Sequence, residues 1–144
     1  MALYLTREVA EQIASHGERG FPNEVCGVMI GKDEDGRRTI CALVPVENSF
    51  EADERFHRYL IAPEDMLRAE RLARQGGLDV LGVYHSHPNA PARPSLYDRD
   101  YAAWTTWSYV IVSVQDSRAV EMRAWKLRED RSAFDEEELK EWRP

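Results

Sequence analysis

The amino-acid sequence predicts a single α+β domain, a mixed β-sheet with helices packed on it. Three observations lead there. The chain has 144 residues, enough for one domain with one substantial core. Short apolar runs of strand length alternate with two stretches of helical periodicity. Two of those runs flank the turn-forming Asp33-Glu34-Asp35-Gly36, the pattern of a hairpin.

Taken in order, residues 3–5 are a short apolar start and read as an edge strand. Thr6 caps a helix reaching Gly17 or Arg19, because Val9, Ala10, Ile13 and Ala14 recur at helical spacing and Glu8 sits in the first turn. Gly20-Phe21-Pro22 ends it. Residues 25–30 and 39–46 form the hairpin, and pairing about Asp33 and Glu34 brings Cys26 near Cys41. Residues 56–61 read as a third strand. Pro63 suits a first helical turn, Met66, Leu67, Ala69, Leu72 and Ala73 continue the pattern, and Gly76-Gly77 stops it. Residues 79–84 are the most apolar strand and therefore a central one. After a proline-rich loop at 88–94, Ser95 caps a short helix through Ala103. Residues 109–114 and 120–127 are the last two strands, joined by Asp116-Ser117-Arg118. The charged segment 128–144 reads as a helix or a loosely attached end, so the chain divides into a domain at 1–127 and a tail at 128–144.

Charge and composition exclude several classes. A formal charge of -7 argues against nucleic acid and against an anionic membrane surface, both of which need a basic patch. No stretch approaches the roughly 20 apolar residues that span a bilayer, and the first residues lack the basic and apolar regions of a signal peptide. The expected compartment is the cytoplasm. Cys26 and Cys41 are then expected to be reduced, inaccessible thiols rather than a disulfide.

The chemistry lies in His85-Ser86-His87-Pro88 and, six residues later, Ser95-Leu96-Tyr97-Asp98. Histidines at i and i+2 leave a strand on one face, close enough to share an ion. Neutral imidazole is a good zinc ligand, and a carboxylate is a common third. The proline-rich loop turns the chain back so that Asp98 completes the set. Three protein ligands leave one tetrahedral position free, as catalytic zinc sites do. HxH alone is a common pair, and Ser95-x-x-Asp98 is also a helix capping box. The combination behind a buried strand is what carries the reading. Neither HExxH nor the deaminase pattern is present, and Cys26 has no neighbouring base. His16 and His57 read as surface or partly buried side chains without a role.

HxHP-x6-SxxD, with Pro22-Asn23-Glu24-Val25-Cys26-Gly27 upstream, resembles the JAMM/MPN-plus (JAB domain) metallopeptidases, in their short stand-alone bacterial form. The likeness runs over about residues 1–127. It implies an MPN/JAB-like fold and a Zn2+ ion on His85, His87 and Asp98. Glu24 matches the family's general base, taking a proton from the attacking water and returning it to the leaving amine, and Ser95 matches the serine that helps hold the oxyanion. Short bacterial members are associated with ubiquitin-like sulfur-carrier proteins, so the resemblance implies cleavage after a carrier's C-terminal Gly-Gly. The connections at 48–55 and 103–109 are short, without the insertions that grip ubiquitin in larger relatives. The rival readings are a non-catalytic MPN scaffold and a zinc hydrolase of small peptides.

Overall fold

The computed structural model describes residues 2–102 and 104–142. Among the described residues seven strands and two longer helices are formed: β1 (Ala2–Leu5), α1 (Arg7–Gly20), β2 (Cys26–Glu34), β3 (Arg37–Val46), α2 (Pro63–Gln75), β4 (Asp79–Pro88), the short α3 (Leu96–Tyr101), β5 (Ser108–Gln115), β6 (Arg118–Leu127) and β7 (Phe134–Glu141). The sheet is mixed and closes into a barrel in the order β1-β3-β2-β4-β5-β6-β7. Among the described residues no helix is long and apolar enough to cross a membrane.

The helices form where caps and periodicity place them. The Thr6 hydroxyl accepts the Val9 N–H at 3.1 Å, satisfying one of the donors left free at a helix start. Val9 and Ile13 of α1 then join Leu3, Met29, Ile40, Tyr84, Val110 and Val112 in the larger core. At α1's inner face Gly17 has no side chain, and an added Cβ would meet Val114 and Val112 of β5 at 3.0 and 3.3 Å. In α2 Pro63 takes the first turn, and Gly77, with φ +69°, lets the chain leave the helix. A smaller core gathers Val83, Tyr109 and Leu127 with Met66, Trp107 and Phe134 around them. β4 lies between β2 (antiparallel) and β5 (parallel), the central place its apolar sequence predicts.

Several expectations need correcting. Residues 3–5 are not an edge: β1 pairs in parallel with both β3 and β7. The charged segment is neither a helix nor a loose end, because β7 lies between β6 and β1 and closes the barrel. Its inward residue Glu137 meets Ser108 and Arg38: Ser108 Oγ donates to Glu137 Oε1 at 2.6 Å, and Arg38 Nη1 donates to Ser108 Oγ at 2.6 Å. The cysteines do not face each other. The turn falls at Asp35-Gly36, both with positive φ, so Cys26 pairs with Val46 and Cys41 is exposed while Cys26 is buried. α3 ends at Tyr101, and Ala103, where the helix was expected to end, lies outside the described residues.

Residues 56–61 are not a strand; this stretch is irregular and follows a short 3-10 turn at Ala52–Glu54. The buried Asn48 amide captures it. Its Nδ2 donates to Glu24 O and Arg58 O, both at 2.9 Å, and its Oδ1 accepts from Phe50 N at 3.0 Å and Leu60 N at 3.1 Å. Four bonds at about 1 kcal/mol net each, with a larger penalty for leaving the buried amide unpaired, hold the segment in this irregular path instead of a strand.

Candidate metal centre

The site grows from the end of β4. His85 and His87 project from one face of that strand, as alternate residues must. β2 runs antiparallel beside it with Cys26 opposite His85. Carrying that register back two residues brings Glu24 to the level of His87. Ser86, between the histidines, locks this arrangement: its backbone N–H donates to Val25 O at 3.1 Å, and its hydroxyl accepts Val25 N–H at 2.9 Å.

The proline-rich loop is fastened to the sheet at each step. Asn89 N–H donates to Val114 O at 2.7 Å, Ser113 Oγ to Ala90 O at 2.6 Å, and Trp125 Nε1 to Ala92 O at 3.0 Å. The loop thereby delivers α3 with its capping box. Ser95 Oγ accepts Asp98 N–H at 3.0 Å, and Asp98 Oδ2 accepts Ser95 N–H at 2.9 Å. Because Ser95 Oγ acts there as an acceptor, its own O–H stays available as a donor.

These elements converge on one point. His85 Nε2 and His87 Nε2 are 3.0 Å apart, and Asp98 Oδ2 is 3.4 Å from the first and 3.1 Å from the second. Ligand atoms on a tetrahedral ion with bonds near 2.0–2.1 Å stand about 3.3 Å apart, so the spacing suits one small ion. His87 Nδ1 lies 2.8 Å from Pro91 O and carries a proton toward it, while Nε2 faces Asp98 Oδ2 at 3.1 Å, where it donates when protonated and offers its lone pair once an ion displaces that proton. Glu24 is buried, with an oxygen within 4.8 Å of the ligand atoms of both histidines, and its Oε1 has no hydrogen-bond partner among the described residues.

The electrostatics follow from burial and proximity. Burial pushes the Glu24 carboxyl up to about 8, against the pull of His87 and with a further push from Asp98. Burial also works to raise Asp98, but His85 and then His87 outweigh it and hold the carboxyl far below the usual carboxylate range. His85 is lowered by burial, which Asp98 only partly offsets. His87 is lowered by burial, but Asp98, with help from Glu24 and the Pro91 carbonyl, raises it above its ordinary value. A carboxylate and two imidazoles that hold a proton between them are the groups a divalent cation would take over, at the expense of that proton.

Four of the five residues singled out from the sequence, Glu24, His85, His87 and Asp98, therefore fall together, and Ser95 lies one hydrogen bond outside, on Asp98. Sequence reasoning missed Asn48, Tyr59, Ser86 and the Pro91 carbonyl. Ser86 was in view as the residue between two histidines; Asn48 had only its place in a polar stretch as a signal.

Residues 6–128 match the sequence profile of the prokaryotic homologs of the JAB domain. A desampylase from Haloferax volcanii is 37% identical over 115 residues, covering 77% of this chain and 80% of that protein. A Thermus thermophilus protein described as a probable TtuB-protein conjugate cleaving protease is 33% identical over 119 residues, 83% of this chain and 75% of its own. A CysO-cysteine peptidase from Mycobacterium bovis is 26% identical over 125 residues, 87% and 82% of the two chains. Among solved structures, a protein from Desulfitobacterium hafniense superposes with a TM-score of 0.85 at 29% identity, over 99% of this chain and 94% of that one. A JAB1/MPN domain protein from Archaeoglobus fulgidus shares the fold, with a TM-score of 0.61 at 17% identity over 98% and 97% of the chains. The chain belongs to the family of prokaryotic JAB-domain homologs.

Proposed function

We propose that this member of the prokaryotic JAB family is a zinc-dependent peptidase that cuts the bond after the C-terminal Gly-Gly of a small ubiquitin-like sulfur-carrier protein. The observation that carries the reading is the convergence of His85, His87 and Asp98 within 3.4 Å of one another, with Glu24 buried beside them. His85, His87 and Asp98 would hold the ion. Two imidazoles and one carboxylate are a donor set that zinc favours, and the spacing fits it. Once bound, such an ion supplies Lewis-acid chemistry, bringing the pKa of water toward neutrality and polarising a carbonyl.

The protein's own groups do the rest. Glu24 takes the proton of the attacking water and hands it to the leaving amine, and burial prepares it by making its carboxylate a willing base. The Ser95 hydroxyl, free to donate, helps hold the charge that develops on the carbonyl oxygen. These residues all precede residue 128, so we assign the chemistry to 1–127 and barrel closure to the tail at 128–144. The free thiols support a reducing, cytoplasmic setting.

The substrate class rests on the relatives, whose names speak of protein conjugates and of a cysteine adduct. A tail ending in Gly-Gly suits the site, since glycine lets a backbone pass close to a buried metal. Beside Asp98 lies a hollow of about 200 Å³ lined by Tyr59, Met66, Tyr97, Tyr101 and Trp107, which offers apolar surface to the residues before the glycines. The test is to incubate zinc-loaded protein with a carrier extended by one residue beyond Gly-Gly and, separately, with Lys-linked ubiquitin chains, and to weigh the products. Release of the extra residue from the carrier, with little cutting of the chains, is expected. Efficient cutting of the chains with an untouched carrier would overturn the substrate class.

A further inference from the structure

A metal-binding imidazole is normally held by a hydrogen bond on its second nitrogen, because the outer torsion of histidine is otherwise broad. His87 has that bond, from Nδ1 to Pro91 O at 2.8 Å. His85 does not: its Nδ1 is buried and has no hydrogen-bond partner among the described residues. The ring is still the more enclosed of the two, at 1% exposure against 6% for His87.

What meets the face of His85 is Tyr59. The two rings stack with centroids 4.4 Å apart and planes 22° from parallel. His87 packs against the same imidazole edge-on at 4.8 Å. Tyr59 in turn has little freedom. Its neighbours on either side, Arg58 and Leu60, are both bonded through their backbones to the Asn48 amide, and Ser49 N–H donates to Leu60 O at 2.9 Å. The same amide holds Glu24 O at 2.9 Å. Both donor hydrogens and both acceptor positions of Asn48 are thus used on backbone, so this side chain ties the Tyr59 loop to the segment just before β2 that carries Glu24.

We propose that Tyr59 is a positioning residue for the metal ligand His85: its ring, set by the Asn48 clamp, fixes the imidazole plane that no hydrogen bond at Nδ1 fixes. The inference rests on the metal-site reading above. It assigns the task to the flat face of the ring and not to the hydroxyl. The ring also forms one wall of the hollow beside Asp98, so the surface that steadies the ligand is shared with the space proposed for substrate.

The experiment is zinc affinity by competition with a chelator, read together with the cobalt(II) absorption spectrum, for wild type, Tyr59→Phe and Tyr59→Leu. Each metal-free protein is first shown to be folded by circular dichroism, and Tyr59→Met replaces the leucine variant if that one does not fold. Tyr59→Phe should match wild type in both readouts. Tyr59→Leu should bind zinc about ten-fold more weakly, the lower end of what losing an outer partner of a ligand costs, with altered cobalt bands. Wild-type affinity and spectrum in Tyr59→Leu would overturn the proposal, and so would an equal loss in Tyr59→Phe, which would move the role to the hydroxyl. A wild type that takes up neither metal would instead bring down the metal-site reading on which the proposal stands.

Discussion

Two of the polar clusters buried in the barrel differ in how far the protein satisfies them itself. At the closing seam, Arg38 of β3 donates to Ser108 Oγ and to Leu81 O, Ser108 donates to Glu137 Oε1, and Glu137 Oε2 stands 4.0 Å from Arg38 Nη1. Each charge there has a protein counter-charge, although Glu137 Oε2 itself accepts no hydrogen bond among the described residues. At the end of β4, two imidazole nitrogens and a carboxylate oxygen crowd one point, while Glu24 Oε1 and His85 Nδ1 have no partner among the described residues. Burying polar groups without partners is costly, so a fold that keeps such a cluster does so for something other than stability. The first cluster is architecture; the second is arranged for an outside partner.

The comparison is tested most severely by separating chemistry from binding at the β4 end. Glu24→Gln should keep its metal while turnover falls by roughly 10²–10⁴-fold, the range for loss of a general base. Ser95→Ala should also keep its metal and lose about 10²-fold, as for one oxyanion donor. Product formation by Glu24→Gln at the wild-type rate would remove Glu24 from the mechanism.

The seam should respond in the opposite way. Glu137→Ala removes the buried counter-charge of Arg38 and leaves it only the half-exposed Asp33 at 3.8 Å, so it should cost about 3 kcal/mol in urea unfolding, the low end for breaking one side of a buried pair. The folded fraction should still bind metal with wild-type stoichiometry. Loss of metal from folded Glu137→Ala would mean that the two clusters are not separable.

How much of each region could be read in the sequence follows from the range of its interactions. Three of the site residues, His85, His87 and Asp98, lie within one strand–loop–helix unit, and Glu24 sits across a single strand pairing. The fold brings together the residues that a local pattern had grouped. Arg38, Ser108 and Glu137 come from three distant strands, and nothing near Phe134 in the sequence says that the charged segment will lie beside β1. Asn48 shows a different limit. Reading 56–61 as a strand ignores side chains that bond to the backbone, and Asn48 captures that segment through the Arg58 carbonyl and the Leu60 amide. The cysteines fall apart because the hairpin turns two residues later than its acidic run suggests and a bulge between Ile30 and Gly31 shifts the register by one more.

A smaller effect comes from proton linkage. In metal-free protein Glu24 titrates near 8 rather than 4.5 because it is buried. Between those values the native state keeps a proton that the unfolded chain has released, so stability should fall as pH rises through this window. Unfolding free energies of metal-free wild type and Glu24→Gln, compared across that range, isolate the effect: the decline should be shallower in the variant. Parallel curves would mean that Glu24 is not buried as described.

The mildest contrast is between the thiols. Cys41 is exposed and should react quickly with a thiol reagent in the folded protein. Cys26 is buried beside Glu24, and burial pushes its thiol up to about 12, so it should react only on unfolding. Two fast thiols would show that β2 is not packed as the register requires.

The central claim is that the β4 end is a metal site and the seam is not, and metal content measures it directly. Elemental analysis of protein purified without chelator should find about one zinc per chain in wild type and in Glu137→Ala, and none in His87→Ala. Wild-type protein that carries no zinc, and takes up none on titration, would contradict it.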